Sequence, residues 1–161
     1  MMTVKELSKL YWLNREVEAN KRQAAELEAE IKRDKEQLSG MRRSLDGLAS
    51  PKLDGMPHGS DVSSPVENTV EHIMMLEAAL IRKHDALVNL KARITTRQTL
   101  AILEQEKLER YIGTIDDPFM RLVFKYRFVE GLTWEGVAQS LDRVEKWESV
   151  KQLCYRYVKT H

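Results

Sequence analysis

Apolar residues recur at alternating steps of three and four along the first part of the chain. With Leu10, Val17, Ala24, Ile31, Leu38 and Leu45 set in one heptad row, Leu13, Asn20, Leu27, Asp34, Met41 and Leu48 fall in the next, and ten of these twelve positions are apolar. That spacing holds two rows of side chains on one side of a helix, as in a coiled-coil seam. It predicts a helix over about Val4 to Leu48. Thr3-Val4-Lys5-Glu6 has the form of a capping box at its start, with Met2 placed to staple onto Leu7. Gly40 costs about 1 kcal/mol inside a helix, but the heptad keeps its register across it, so the helix is expected to run through. Asn20 and Asp34 interrupt the second row. Polar seam residues of this kind either set register or partner number, or mark a wet, loosely packed spot.

Ala49 to Ser64 gather Pro51, Gly55, Pro57 and Gly59 among Ser and Asp, which predicts a loop. Within it Met56-Pro57-His58-Gly59 reads either as a plain connector or as a contact site. A second long helix opens at Ser64-Pro65-Val66-Glu67, a capping box with Pro at the first helical position. Its first heptad row is Val66, Ile73, Leu80, Leu87, Ile94, Ala101, Leu108 and Ile115. The second row mixes Leu76, Leu90 and Tyr111 with Lys83, Arg97 and Glu104. Each helix would be on the order of 70 Å long at about 1.5 Å per residue, and matched lengths joined by one loop predict an antiparallel hairpin. Two helices bury little surface, so a further partner is expected, either a second hairpin or another protein. Leu10, Val17, Ile31, Leu38, Ile73, Leu80, Leu87 and Ile94 are the candidate oligomerisation residues.

Past Gly113, a natural helix end, the long period gives way to three short apolar patterns. Asp117 as N-cap and Pro118 at N1 open a helix to about Glu130, with Phe119, Leu122, Val123, Tyr126 and Val129 on one face and Gly131 ending it. Thr133 caps a second helix, about Trp134 to Leu141, with Val137, Ala138 and Leu141 inward. A third, about Lys146 to Lys159, turns Val150, Leu153, Cys154 and Tyr157 inward and leaves Glu148, Lys151, Gln152, Tyr155, Arg156 and Lys159 free. The predicted fold is therefore all-α. A long antiparallel coiled-coil hairpin, residues 1–115 with its loop at about 49–64, precedes a three-helix helix-turn-helix domain at 116–161.

Composition narrows the function classes. The 161-residue chain carries a net charge of +1, so attraction to nucleic acid has to come from local clustering. Such a cluster lies at the C-terminal end, where Arg143, Lys146, Lys151, Arg156 and Lys159 oppose only Glu145 and Glu148. A helix that enters the major groove needs a narrow apolar back and long polar side chains in front, and the third helix has that division. The small Ala138 allows the second and third helices to cross closely. A three-helix bundle with an ordinary solvated face fits the same pattern. One cysteine, Cys154, excludes an internal disulfide and suits a reducing, cytoplasmic setting, and no apolar run is long enough to span a bilayer. His58, His72, His84 and His161 lack metal-ligand spacing, and neither a metal nor a cofactor is expected. An enzyme is not expected either, because the carboxylate pair Asp116-Asp117 is explained by capping and no nucleophile and base accompany it.

The run from Asp117 to Phe128, then Glu130-Gly131-Leu132-Thr133-Trp134-Glu135-Gly136-Val137-Ala138, then Val150-Lys151-Gln152-Leu153, resembles region 4 of the sigma-70 family of RNA polymerase sigma factors. With the Met56-Pro57 loop and the long helix before it, the chain resembles a family of small prophage-encoded transcriptional regulators of Gram-positive bacteria, of the ArpU and RinA type. The resemblance implies that Glu148, Lys151 and Gln152 occupy base-reading positions and that Thr133 lies near phosphate. It implies double-stranded DNA as partner, with the coiled coil serving to dimerise or to touch RNA polymerase. Sigma regions 1 to 3 have no counterpart, so a complete promoter-melting factor is not expected. The connection from Leu141 to Val150 is longer than in the sigma pattern and carries Asp142 in place of the usual turn glycine. The candidate DNA contacts are Thr133, Arg143, Lys146, Glu148, Lys151, Gln152, Tyr155, Arg156 and Lys159. A packaging component resembling a small terminase subunit, or a coiled-coil interaction protein, are the other readings. Neither involves the membrane.

Overall fold

In the computed structural model, residues 2–47, 65–143 and 146–160 are described, and every regular element among them is helical. In chain order these are α1 (Val4–Leu7), α2 (Lys9–Gly47), α3 (Pro65–Gly113), α4 (Pro118–Phe124), a π-helical turn (Lys125–Val129), α5 (Trp134–Ser140) and α6 (Trp147–Thr160). The all-α expectation holds. No helix among the described residues is long and apolar enough to cross a membrane. The loop predicted for 49–64, its Met56-Pro57 segment, Leu48 and the Ser64 cap lie outside the described residues.

The N-terminal start forms as its sequence dictates. The Thr3 hydroxyl accepts from the Glu6 N–H at 3.3 Å, and the Glu6 carboxylate accepts from the Thr3 N–H at 2.8 Å. That backbone hydrogen bond holds the Glu6 carboxyl below its ordinary range. Met2 and Leu7 are buried in the same cluster, as a staple requires. The helix expected from Val4 loses regular α geometry at Ser8, whose hydroxyl donates to the Val4 carbonyl at 2.9 Å beside its own N–H at 3.0 Å. α2 then continues through Gly40 to Gly47.

The chain divides into two compact units, Lys21–Ala92 and Met1–Asn20 with Arg93–His161. These do not follow the boundary expected at 115–116. In the Lys21–Ala92 unit, Ile31, Leu38, Ile73 and Leu80 form the buried core, with Leu27, Met41, Leu45, Leu76 and Leu87 packed against it. The first heptad rows thus meet within this unit at Ile31, Leu38, Ile73 and Leu80, while Val66 at the start of the α3 row is exposed. The interruption at Lys83 is answered directly, because its ammonium reaches Asp34 at 2.7 Å and Glu30 at 3.1 Å. These carboxylates, the Asp34 hydrogen bond first, raise the Lys83 pKa. Lys91 binds Glu28 at 2.6 Å, and Arg42 pairs with Glu77. Partner numbers fall along α3 as they rise along α2, so the two segments run in opposite directions within this unit.

In the other unit the beginning of α2 meets the end of α3 in the same sense, through Arg97 with Glu16 at 2.9 Å and Lys9 with Glu104. Lys83, Arg97 and Glu104, the charges that break the second row of α3, all have an opposite charge on α2. Asn20 differs, since its side-chain nitrogen is buried without a hydrogen-bond partner among the described residues. The core of this unit draws Met2, Leu7, Leu10 and Leu13 together with Leu108, Ile112 and Ile115, and with Val123, Phe124, Phe128, Val137, Val150 and Cys154. Fully burying a side chain of Leu or Phe size contributes about 1.5–3 kcal/mol. The N-terminal segment is therefore part of what holds α4, α5 and α6 in place.

Asp117 caps α4 by accepting from the Phe119 N–H at 2.9 Å, with Pro118 at the first turn. The helix predicted from Pro118 to Glu130 changes pitch at Lys125, where the Glu130 N–H bonds the Lys125 carbonyl across the π turn. The inward face differs accordingly from the expected one. Met120, Val123, Phe124 and Phe128 are buried, Phe119, Tyr126 and Val129 are half-buried, and Leu122 is exposed. Gly131 ends the turn at φ +70, and a Cβ there would meet the Tyr11 ring at 3.3 Å.

Candidate nucleic-acid interface

The connection into α6 begins at the end of α5. The Asp142 N–H donates to the Gln139 carbonyl at 3.1 Å and the Arg143 N–H to the Ala138 carbonyl at 2.8 Å, the bond pair of a Schellman motif. That motif needs a left-handed residue, and Asp142 takes it at φ 53. The substitution for glycine noted in the sequence therefore leaves the turn intact, since a short polar side chain tolerates this region. Val144 and Glu145 lie outside the described residues. Lys146 resumes with its N–H bonded to the Arg143 carbonyl at 2.9 Å, and α6 follows from Trp147.

Two faces of α6 are set apart by burial. Val150 and Cys154 lie in the core, with Tyr157 and Val158 packed against it. Leu153, expected to point inward, is 42% exposed because it sits at the edge of the apolar arc. At about 100° per residue, Glu148, Lys151, Gln152, Tyr155, Arg156 and Lys159 fall within an arc of about 140° centred opposite that core. Lys151 is half-buried and the other five are exposed. Trp147, Glu148, Lys151, Gln152 and Tyr155 line an open concavity of ≈ 250 Å³ on this face. It presents a carboxylate, an ammonium, an amide and two aromatic rings side by side.

The other candidates are placed differently. The Thr133 hydroxyl caps α5 by accepting from the Gly136 N–H at 3.1 Å, which leaves its own proton to donate. Arg143 lies over the Phe119 ring at 4.8 Å, so its guanidinium is directed onto α4. Lys146 is exposed at the start of α6. Of the eight candidate oligomerisation residues, six are buried and Leu87 and Ile94 are half-buried; Ile31, Leu38, Ile73, Leu80 and Leu87 pack together in one unit and Leu10 in the core of the other.

A layer of ring contacts beneath α6 was not foreseen from periodicity. Tyr155 packs on Trp134 with ring centroids 5.8 Å apart, and the Arg127 guanidinium lies 5.0 Å from the Trp134 centroid. Arg127 also donates to the Leu132 carbonyl at 2.6 Å, tying the π turn to the start of α5. On the buried side, Phe124 packs edge-on against Tyr157 at 5.8 Å. Burial pushes the Cys154 thiol up to about 12, so it is a packing group with no nucleophilic character at neutral pH. No cluster of His, Cys, Asp and Glu suited to a metal ion occurs among the described residues. No protein-family model, curated protein or solved structure matches the chain.

Proposed function

We propose that the chain is a DNA-binding transcriptional regulator of the phage or prophage type. In this reading α4 to α6 form a helix-turn-helix module, and α6 enters the major groove of a promoter-proximal site. α2 and α3 form a coiled-coil hairpin that couples two such modules or contacts RNA polymerase. The observation that carries the reading is the division of α6 into a face locked by Val150 and Cys154 and a free face of Glu148, Lys151, Gln152, Tyr155, Arg156 and Lys159. Side chains of this kind reach base edges and phosphates from a groove-lying helix. The Schellman turn at Asp142 supports it, because it fixes the direction in which the chain leaves α5.

The test is fluorescence anisotropy on promoter-derived duplexes across a salt series, comparing the native chain with Lys151→Ala/Arg156→Ala. The double variant is expected to lose sequence-specific affinity while its circular dichroism is unchanged. Loss of phosphate contacts also makes the salt dependence shallower, by a slope of about 0.9 for each contact removed. Retained specific affinity would remove these residues from the interface.

A further inference from the structure

α3 carries a second apolar stripe that the chain leaves uncovered. Met74, Ile81 and Val88, at intervals of seven, are 65%, 65% and 66% exposed. Between them lie the exposed Ala78, Asp85 and Ala92, so the row from Met74 to Ala92 steps by four and three throughout. This is the spacing of a helix–helix seam. It lies about 120° around α3 from the row containing Ile73 and Leu80, whose side is filled by α2 within the chain. The corresponding row of α2 is Arg22, Ala25, Ala29, Lys32, Glu36, Ser39 and Arg43, which holds no large apolar residue and so offers no matching stripe. Among the described residues of the unit, the one stripe of large exposed apolar residues in this register belongs to α3 itself.

We propose that this stripe pairs with the same stripe of a second copy, antiparallel and about a two-fold axis. A self-complementary surface closes as an isologous dimer. Antiparallel pairing sets Met74 against Ala92 and Ala78 against Val88 of the second copy, a large residue facing a small one in each layer. The layer that sets Asp85 against Ile81 of the second copy places it beside Arg82 of that copy, and the two-fold repeats the ion pair. Neither Arg82 nor Asp85 makes an ion pair within the chain among the described residues. Parallel pairing would instead set Asp85 against Asp85, with no charge to oppose it. The single charge in the stripe thus selects both the partner and its direction.

The pairing deepens the regulator reading and rests on it only for its purpose, which is to couple two DNA-reading modules. Sedimentation equilibrium of the full chain tests it. The native chain should be a dimer at tens of micromolar. Asp85→Arg and Arg82→Asp should each weaken association by about tenfold or more by opposing like charges, and Arg82→Asp/Asp85→Arg should recover it. Ile81→Asp, at an exposed position, should give a monomer with unchanged helicity. A monomeric native chain, association indifferent to these changes, or a double exchange that fails to recover it would overturn the proposal. Single-duplex binding measured on the same samples separates the two readings. A dimer that binds no DNA refutes the regulator alone, and a monomer that binds DNA refutes the pairing alone.

Discussion

Residues that act on their nearest neighbours were legible in the chain. Thr3, Asp117 and Thr133 cap the helices assigned to them, because an N-cap depends only on an oxygen two or three residues ahead of the N–H it accepts from. Contacts between elements left no such trace. Arg143, a candidate DNA contact, lies over Phe119, and Tyr155, on the free face of the third helix, packs on Trp134. Neither partner is related to it by a helical period. Cys154 makes its burial measurable. Its folded thiol titrates at about 12 against an ordinary 9.0, so the unfolded chain loses the proton first. The contribution of this group to stability is whole below pH 9 and declines as pH rises toward 12. Urea midpoints of the native chain should fall over that window more steeply than those of Cys154→Ala. At pH 8 the native thiol should react with iodoacetamide at least about a hundredfold more slowly than a free one; free-thiol kinetics would show that the α6 back is open.

Elements were legible where their period is long. The heptads of α2 and α3 placed Leu10, Val17, Ala24, Ile31, Leu38, Ile73, Leu80, Ala101 and Leu108 inward, and all are buried. Two features escaped the period. The π turn at Lys125–Val129 shifts the phase of the chain after Phe124 and turns Phe128 inward, while in α4 before it Met120, Val123 and Phe124 form the buried face and Leu122 is exposed. The polar seam positions had no assigned partners, yet Lys83 meets Asp34 and Glu30 across the seam. That arrangement has a testable sign. Lys83→Leu leaves Asp34 facing Glu30 without a cation and should lower the thermal midpoint. Asp34→Leu/Lys83→Leu should recover it or exceed the native value, since replacing both partners by apolar groups removes a desolvation cost along with the pair. A double variant less stable than the single one would mean that the ion pair itself is a net source of stability.

At the scale of the whole molecule, a boundary at 115–116 follows from the change of period, while the compact units follow from contacts far apart in sequence. Met2, Leu7, Leu10 and Leu13 share a core with Val123, Phe124, Val150 and Cys154, a pairing that no local pattern encodes. A fragment of residues 116–161 should therefore show weak helicity and no cooperative thermal transition; a sharp transition would make the C-terminal helices a domain of their own. The proposed function turns on what the free face of α6 touches. It is tested most directly by selecting bound duplexes from a random-sequence pool with the full chain and sequencing them. One enriched motif is expected, lost with Lys151→Ala/Arg156→Ala. Recovery of an unenriched pool at low salt, or the same motif from the double variant, would contradict it.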